Sequence, residues 1–327
     1  MADTGLLNEV IVVVAKTVSV LVFFLVFALV AGQTEHKLMA HMQGRLGPMY
    51  AGGYHGWAQL LADAVKFAQK EKVVPSAVDK PVFSLAPAFS MIPYMLALAA
   101  IPLQPNVVAA KVDAGVLFVL AASAVGVLGS LMAGWSSGNK YALIGALRAA
   151  AQLLAYELPV VLAASSVAMA AGTLSLVGIG EAWKPSWLIF QLPAACVFFA
   201  GGLAELQRPP FDTPVADTEI VVGPYSEYSG MRFALFLFAE YAGMVVLGLL
   251  MSVLFLGAWR GPFSAQLGWL WTLLKAGLVV MVIIWFRVSW PRVRADQLQK
   301  LAWTVLVPVA LAQLALTAVL VVTGVIG

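Results

Sequence analysis

The sequence predicts an all-α integral membrane protein of eight transmembrane helices, with a short interfacial amphipathic helix after helix one. Three observations carry that expectation. Hydrophobic residues make up 62% of the 327 positions and charged residues 11%, whereas a soluble domain carries about 25% charged residues. Apolar runs long enough to cross about 30 Å of hydrocarbon recur along the chain. Lysine and arginine collect in every second loop between those runs, the pattern expected when loops sort by membrane side.

The first run, 9–31, has neither the short apolar core nor the small-residue cleavage site of a signal peptide, and reads as a retained helix. The other spans fall near 82–103, 112–134, 141–171, 186–204, 232–257, 268–288 and 303–325. In the first long loop, Trp57, Leu60, Leu61, Ala64, Val65 and Ala68 recur at three- and four-residue spacing, with Asp63, Lys66 and Lys70 on other faces. That spacing predicts an amphipathic helix lying in the membrane interface, or packed on the end of the bundle. The segments after helices one, three, five and seven hold fourteen lysines and arginines; the opposite side holds Lys111, Lys184 and Arg260. The long loops 32–81, 205–231 and 287–302 are therefore expected in the cytoplasm, with both termini outside. The chain reads as one helical domain over residues 1–327 of the cell inner (cytoplasmic) membrane. The single Cys196 lies in an apolar run and reads as a packing residue, since one thiol holds neither a cluster nor an internal disulfide. His36, His41 and His55 are not spaced as a helical metal-ligand pair. The chain has no nucleotide-binding loop and no nucleophile elbow.

Charges stand out against this background. Glu157 lies nine residues past Arg148, and Glu240 eight past Arg232. At the helical rise they sit about 13 Å and about 12 Å inside the apolar region. Lys16 and Lys275 also fall within spans. Intramembrane charges face the bundle interior and pair or protonate. Two readings follow: a buried ion pair of Glu157 with Lys16 or Lys275, or a proton or ion path. The stretch AELQRPPFDTPVADTEIVVGPYSEYSG, residues 204–230, holds five carboxylates (Glu205, Asp212, Asp217, Glu219, Glu227) and one basic residue, Arg208. Pro209, Pro210 and Pro214 forbid a regular helix through its first half, and Gly223-Pro224 marks a second break. Non-helical backbone near a membrane is tolerated where it is buried in protein or lines a watery cavity. A polar chamber is thus expected here, with a solvated acidic loop as the plainer alternative. RVSWPRVRADQLQKLAW, residues 287–303, supplies Arg287, Arg292, Arg294 and Asp296. It is read either as a topology anchor or as a basic partner for the acidic loop or for another subunit.

Five segments, met in order, resemble the NuoH family, a membrane subunit of NADH–quinone oxidoreductase, respiratory complex I. They are EHKLMAHMQGRLGP (35–48), LLADAVKFAQKEKVVPSAVDKPVFSLAP (60–87), RAAAQLLAYELP (148–159), the acidic stretch continued to AEY (204–241), and PRVRADQL (291–298). Related hydrogenases and deazaflavin-dependent archaeal dehydrogenases share the superfamily. The resemblance implies a chain that walls the chamber into which a lipid quinone descends, with no permanently bound cofactor. NADH, flavin and iron–sulfur clusters are then expected in partner subunits, and the partners are other membrane and peripheral subunits, lipid quinone and membrane lipids, with no nucleic acid. By residue match, Arg45, Asp63 and Lys66 would line the entrance. Glu205, Arg208, Asp212, Asp217, Glu219 and Glu227 would form the acidic loop, opposed by Arg287, Arg292, Arg294 and Asp296. Glu157 and Glu240 would carry an intramembrane proton relay. The chain departs from the family pattern at His36, Gln207, Val215 and Asp217, so one acid of the loop is missing. The alternatives are a membrane anchor for a related hydrogenase or dehydrogenase complex, and a free-standing cation transporter.

Overall fold

The computed structural model describes residues 2–324, with side chains from residue 9 onward except that of Asp217. Every regular element among the described residues is helical. The elements are α1 (Ala2–Met42), α2 (Gln59–Gln69), α3 (Lys80–Ala100), α4 (Gly115–Ser136), α5 (Lys140–Ala171), α6 (Leu176–Ala182), α7 (Trp187–Phe190), α8 (Leu192–Glu205), α9 (Asp217–Ile220), α10 (Met231–Leu254), α11 (Ser264–Ser289), α12 (Ala295–Leu301) and α13 (Val307–Val322). A π-helical turn, Ala302–Leu306, joins the last two into one span.

Among the described residues, seven helices are long and apolar enough to cross a membrane: α1, α3, α4, α5, α10, α11 and α12–α13. The last of them begins at Ala295, inside the expected loop 287–302 and not near residue 303; the other bounds differ from the expected ones by a few residues, with two exceptions. The first helix runs on to Met42 instead of ending near residue 31. Glu35, His36 and Lys37 therefore ride on its last turns and not on a loop. The expected fifth span, 186–204, is the single turn α7 followed by the fourteen-residue α8. At the helical rise α8 measures about 21 Å, short of the hydrocarbon thickness, so of the eight expected spans this one is not long enough to cross by itself.

A break between α7 and α8 exposes backbone polar groups at membrane depth, where no water can satisfy them. Side-chain amides do so instead. Gln313 of α13 donates to the Phe190 carbonyl at 2.7 Å and to Gln191 Oε1 at 3.2 Å. Ser166 of α5 donates to the same Gln191 oxygen at 3.0 Å, and Gln191 donates to Thr317 at 3.3 Å. Three helices are thus tied at one kink.

The bundle core forms where α3 packs on α4, α4 and α8 on α5, α13 on α5, and α3 and α11 on α10. Small residues allow this closeness. A methyl group on Gly129 of α4 would lie 2.5 Å from the Ser90 backbone nitrogen of α3. Helix α5 begins at Asn139, whose side chain accepts from the Tyr141 amide at 2.9 Å.

Helix α2 lies against α1 and α10. Leu60, Ala64 and Phe67 turn toward the bundle, Phe67 facing Phe233 at 6.1 Å between ring centroids. Trp57, Leu61 and Val65 stay exposed. The helix therefore has two apolar faces, one resting on the bundle and one left outward. Cys196 is exposed on the outside of α8 and not packed inside. In a lipid-facing span an apolar thiol needs no interior site.

Candidate functional site

The acidic stretch is non-helical from Leu206 to Ala216, as its prolines require, and is held in place by one buried amide. Gln152 of α5 donates to the carbonyls of Ala204 (2.6 Å) and Phe211 (2.8 Å) and accepts from Thr213 Oγ1 (2.8 Å). Gly223 closes the far end of the loop: its φ is +54°, and a Cβ there would meet the Pro214 carbonyl at 2.0 Å. Only glycine fits.

Folded this way, the loop roofs a cavity of about 390 Å³ between α3, α4, α10 and the last turn of α11. Its wall is mixed. Glu205, Asp212, Glu240 and Arg287 supply charge; Ser90, Ser130 and Tyr225 supply hydroxyls; Val127, Val215 and Phe236 supply apolar surface. Tyr225 and Ser130 share a hydrogen bond of 2.6 Å. Burial pushes the Tyr225 phenol well above its ordinary value, against the Ser130 hydrogen bond, so it stays a neutral hydroxyl at working pH. Tyr228, next along, stacks on Phe83 at 4.0 Å, and burial raises its phenol to about 12.

Beside this cavity lies a buried charge cluster. Arg208 and Glu35 are each 1% exposed and form an ion pair. The second oxygen of Glu35 takes Arg287 from α11. Arg208 Nε stands 2.8 Å from the Glu240 carboxylate of α10, a charge contact more than an aligned hydrogen bond, and its plane lies over the Tyr241 ring at 5.3 Å. Two carboxylates and two guanidinium groups sum to no net charge, the only cheap way to bury them together. Burial works against the Arg208 charge, but Glu240 and Glu35 outweigh it and hold the guanidinium protonated.

The expected site residues therefore divide. Glu205, Asp212, Glu240 and Arg287 line the cavity and Arg208 sits behind its wall. Glu219 turns outward to Arg148 at 2.5 Å, and that guanidinium holds its carboxyl below the usual range. Glu227 accepts from Asn139 at 2.7 Å and so ties the loop to the start of α5. The side chain of Asp217 lies outside the described residues. Arg292 donates to the Asp212 carbonyl, and the Val293 amide to the Pro210 carbonyl at 3.0 Å. The basic run thus does meet the acidic loop, mostly through backbone. Arg294 and Asp296 are exposed and pair with each other at 2.9 Å. Arg45 and Asp63 share a crevice of about 290 Å³ with His36, while Lys66 pairs locally with Asp63 at 3.7 Å.

Glu157 is exposed on the outer face of α5. It pairs with neither expected lysine: Lys275 donates to the carbonyls of Ala258 and Arg260 at 2.8 Å each, and Lys16 forms no ion pair among the described residues. Glu35 and Gln152 are site residues that sequence reasoning does not single out. A loop beginning at residue 32 would leave Glu35 in solvent, yet it is the only acid between Glu9 and Asp63, and helix α1 carries it into the bundle.

Fold and site together define a multi-pass α-helical membrane protein with a polar chamber and a neutral buried charge cluster at one end of the bundle. The chain belongs to the family described as NADH dehydrogenase, whose model matches residues 15–318. It is 43% identical over 310 residues to the H subunit of the NADH-quinone oxidoreductase of Geobacillus kaustophilus, covering 93% of this chain and 92% of that one. The corresponding protein of Geobacillus thermodenitrificans is 43% identical over 302 residues (91% and 90%), and that of Anoxybacillus flavithermus 44% over 287 (87% and 86%).

Proposed function

We propose that this chain is the membrane subunit that walls the quinone chamber of a proton-translocating NADH:quinone oxidoreductase. The observation that carries the reading is the cavity of about 390 Å³ with Glu205, Asp212, Glu240 and Arg287 in its wall. A volume in the range of about 300–1,000 Å³ suits a small-molecule headgroup. Its apolar patches suit a ring, and its hydroxyls and charges suit the ring's two oxygens. Quinone is the substrate; NADH, flavin and iron–sulfur clusters belong to partner subunits. The basic loops lie on the cytoplasmic side, where peripheral subunits dock, and both termini lie outside.

Reduction of a quinone adds negative charge and demands protons. Beside the chamber, Glu240 shares Arg208 with Glu35, so charge arriving in the cavity competes for the same guanidinium and shifts the protonation of the carboxylates around it. The change passes to Glu157 on the outer face of α5, where a neighbouring membrane subunit receives it. Substituting Glu240→Gln tests this in the assembled complex in proteoliposomes. Quinone reduction, with the protons that quinol formation itself consumes, should persist, because the chamber keeps its shape, while protons translocated across the membrane per turnover fall at least about tenfold, the consequence of removing a carboxylate from an obligatory path. Translocation at the unmodified ratio would overturn the relay.

A further inference from the structure

Away from the chamber, a second cavity of about 370 Å³ opens between α1 and the α3–α4 connection. Lys16 and Ser19 of α1 and Asn106 of the connection meet in its wall, above Phe23, Leu98 and Leu249. Lys16 lies nineteen residues before Glu35 on the same helix, which places it about 28 Å from the buried cluster, at the far edge of the hydrocarbon layer. The site is therefore at headgroup depth in the leaflet opposite the long loops. No carboxylate reaches Lys16 among the described residues.

We propose that this cavity binds an anionic phospholipid, its phosphate on Lys16 and Asn106 and one acyl chain along Phe23, Leu98 and Leu249. The charge selects the class of ligand. A lone ammonium at the membrane edge is satisfied by a phosphate, and an apolar slot directly below it receives the chain that the phosphate carries. Residues 9–22 of α1 are exposed nearly all round, so the slot is a gap left between α1 and the bundle and needs a filler. A lipid held there braces α1, the helix that delivers Glu35 to the charge cluster at its other end.

The test uses the full chain in its native membrane assembly, in vesicles carrying phosphatidylglycerol or phosphatidylcholine with a photoreactive acyl chain. Irradiation, digestion and mass spectrometry should place the phosphatidylglycerol label on peptides spanning 16–23 and 98–109. Phosphatidylcholine should label them about fivefold less, the value of about 1 kcal/mol for one basic residue on an acidic lipid. Lys16→Gln should remove that preference and Lys16→Arg should keep it. Lys111→Gln, an exposed cation of the same connection outside the cavity, should leave it unchanged. Equal labelling by both lipids, or a preference that survives Lys16→Gln, overturns the proposal. So does absence of label from both, which would show that a helix of another subunit fills the gap.

Discussion

Glu35 is a carboxylate whose two oxygens are both committed to arginines, Arg208 from the acidic loop and Arg287 from α11. It therefore joins three segments far apart in sequence. Breaking a buried pair by removing one partner costs about 3–5 kcal/mol, because the other charge stays buried. Glu35→Gln should lower the thermal midpoint of the assembled protein and reduce quinone reduction. The double variant Glu35→Gln with Arg208→Gln should lose less than the sum of the two single losses, the mark of coupled neighbours. The Arg148–Glu219 pair behaves differently, being exposed. The Glu219 carboxyl is held below the ordinary carboxylate value near 4.3. Its contribution is then full above that value and is lost as pH falls through the lower folded one. The protection of the 213–222 amides, with exchange corrected for its intrinsic pH dependence, should fall on acidification from pH 6 to pH 3, and Glu219→Gln should flatten that dependence. An unchanged profile in the variant would show that the pair does not hold the loop.

Packing between helices rests on a few contact points. Gly129 admits α3 to within backbone contact, so Gly129→Ala must push α3 and α4 apart. Overpacking of this kind costs typically 1–3 kcal/mol. Because Ser90 and Ser130 flank the contact and line the chamber, the variant should also weaken quinone reduction, measurable as a raised KM. The α7–α8 kink is the second such point. Gln313→Leu would strip the Phe190 carbonyl of its donor in a region without water. The expected cost is about 1–2 kcal/mol, the scale of a membrane-buried side-chain hydrogen bond, read as a lower unfolding midpoint in detergent. A midpoint equal to the parent's would mean the kink finds another donor.

Across the whole molecule, charge is placed at three stations: the cluster at the chamber, Glu157 on the outer face of α5, and Lys16 at the opposite membrane edge. Glu157→Gln keeps the size and hydrogen-bonding capacity of the side chain, so the bundle and its assembly should be unaffected while, on the proposed relay, proton pumping is lost; normal pumping would remove Glu157 from the path. The membrane class, most span positions and the non-helical acidic loop were readable directly, because hydrocarbon tolerates only long apolar helices and proline cannot continue one. Arg208, Asp212, Glu240 and Arg287 were readable as chemistry because charge in an apolar chain is costly and needs a reason. Where those charges point was not readable. Glu219 and Glu227 stand in the same acidic run as Asp212, yet the turn at Gly223 aims them at Arg148 and Asn139. The reach of α1 to Met42, which moves Glu35 from a loop into the core, depends on α10 and α11 lying beside it. Gln152, Gln191 and Gln313 look like ordinary polar residues in their own helices. Composition and periodicity settle what must be in the membrane, since burial of apolar surface is local and nearly additive. Partners for buried polar groups come from distant segments, 52 residues apart for Gln152 and Ala204 and 252 for Glu35 and Arg287, and only the packed bundle brings them together.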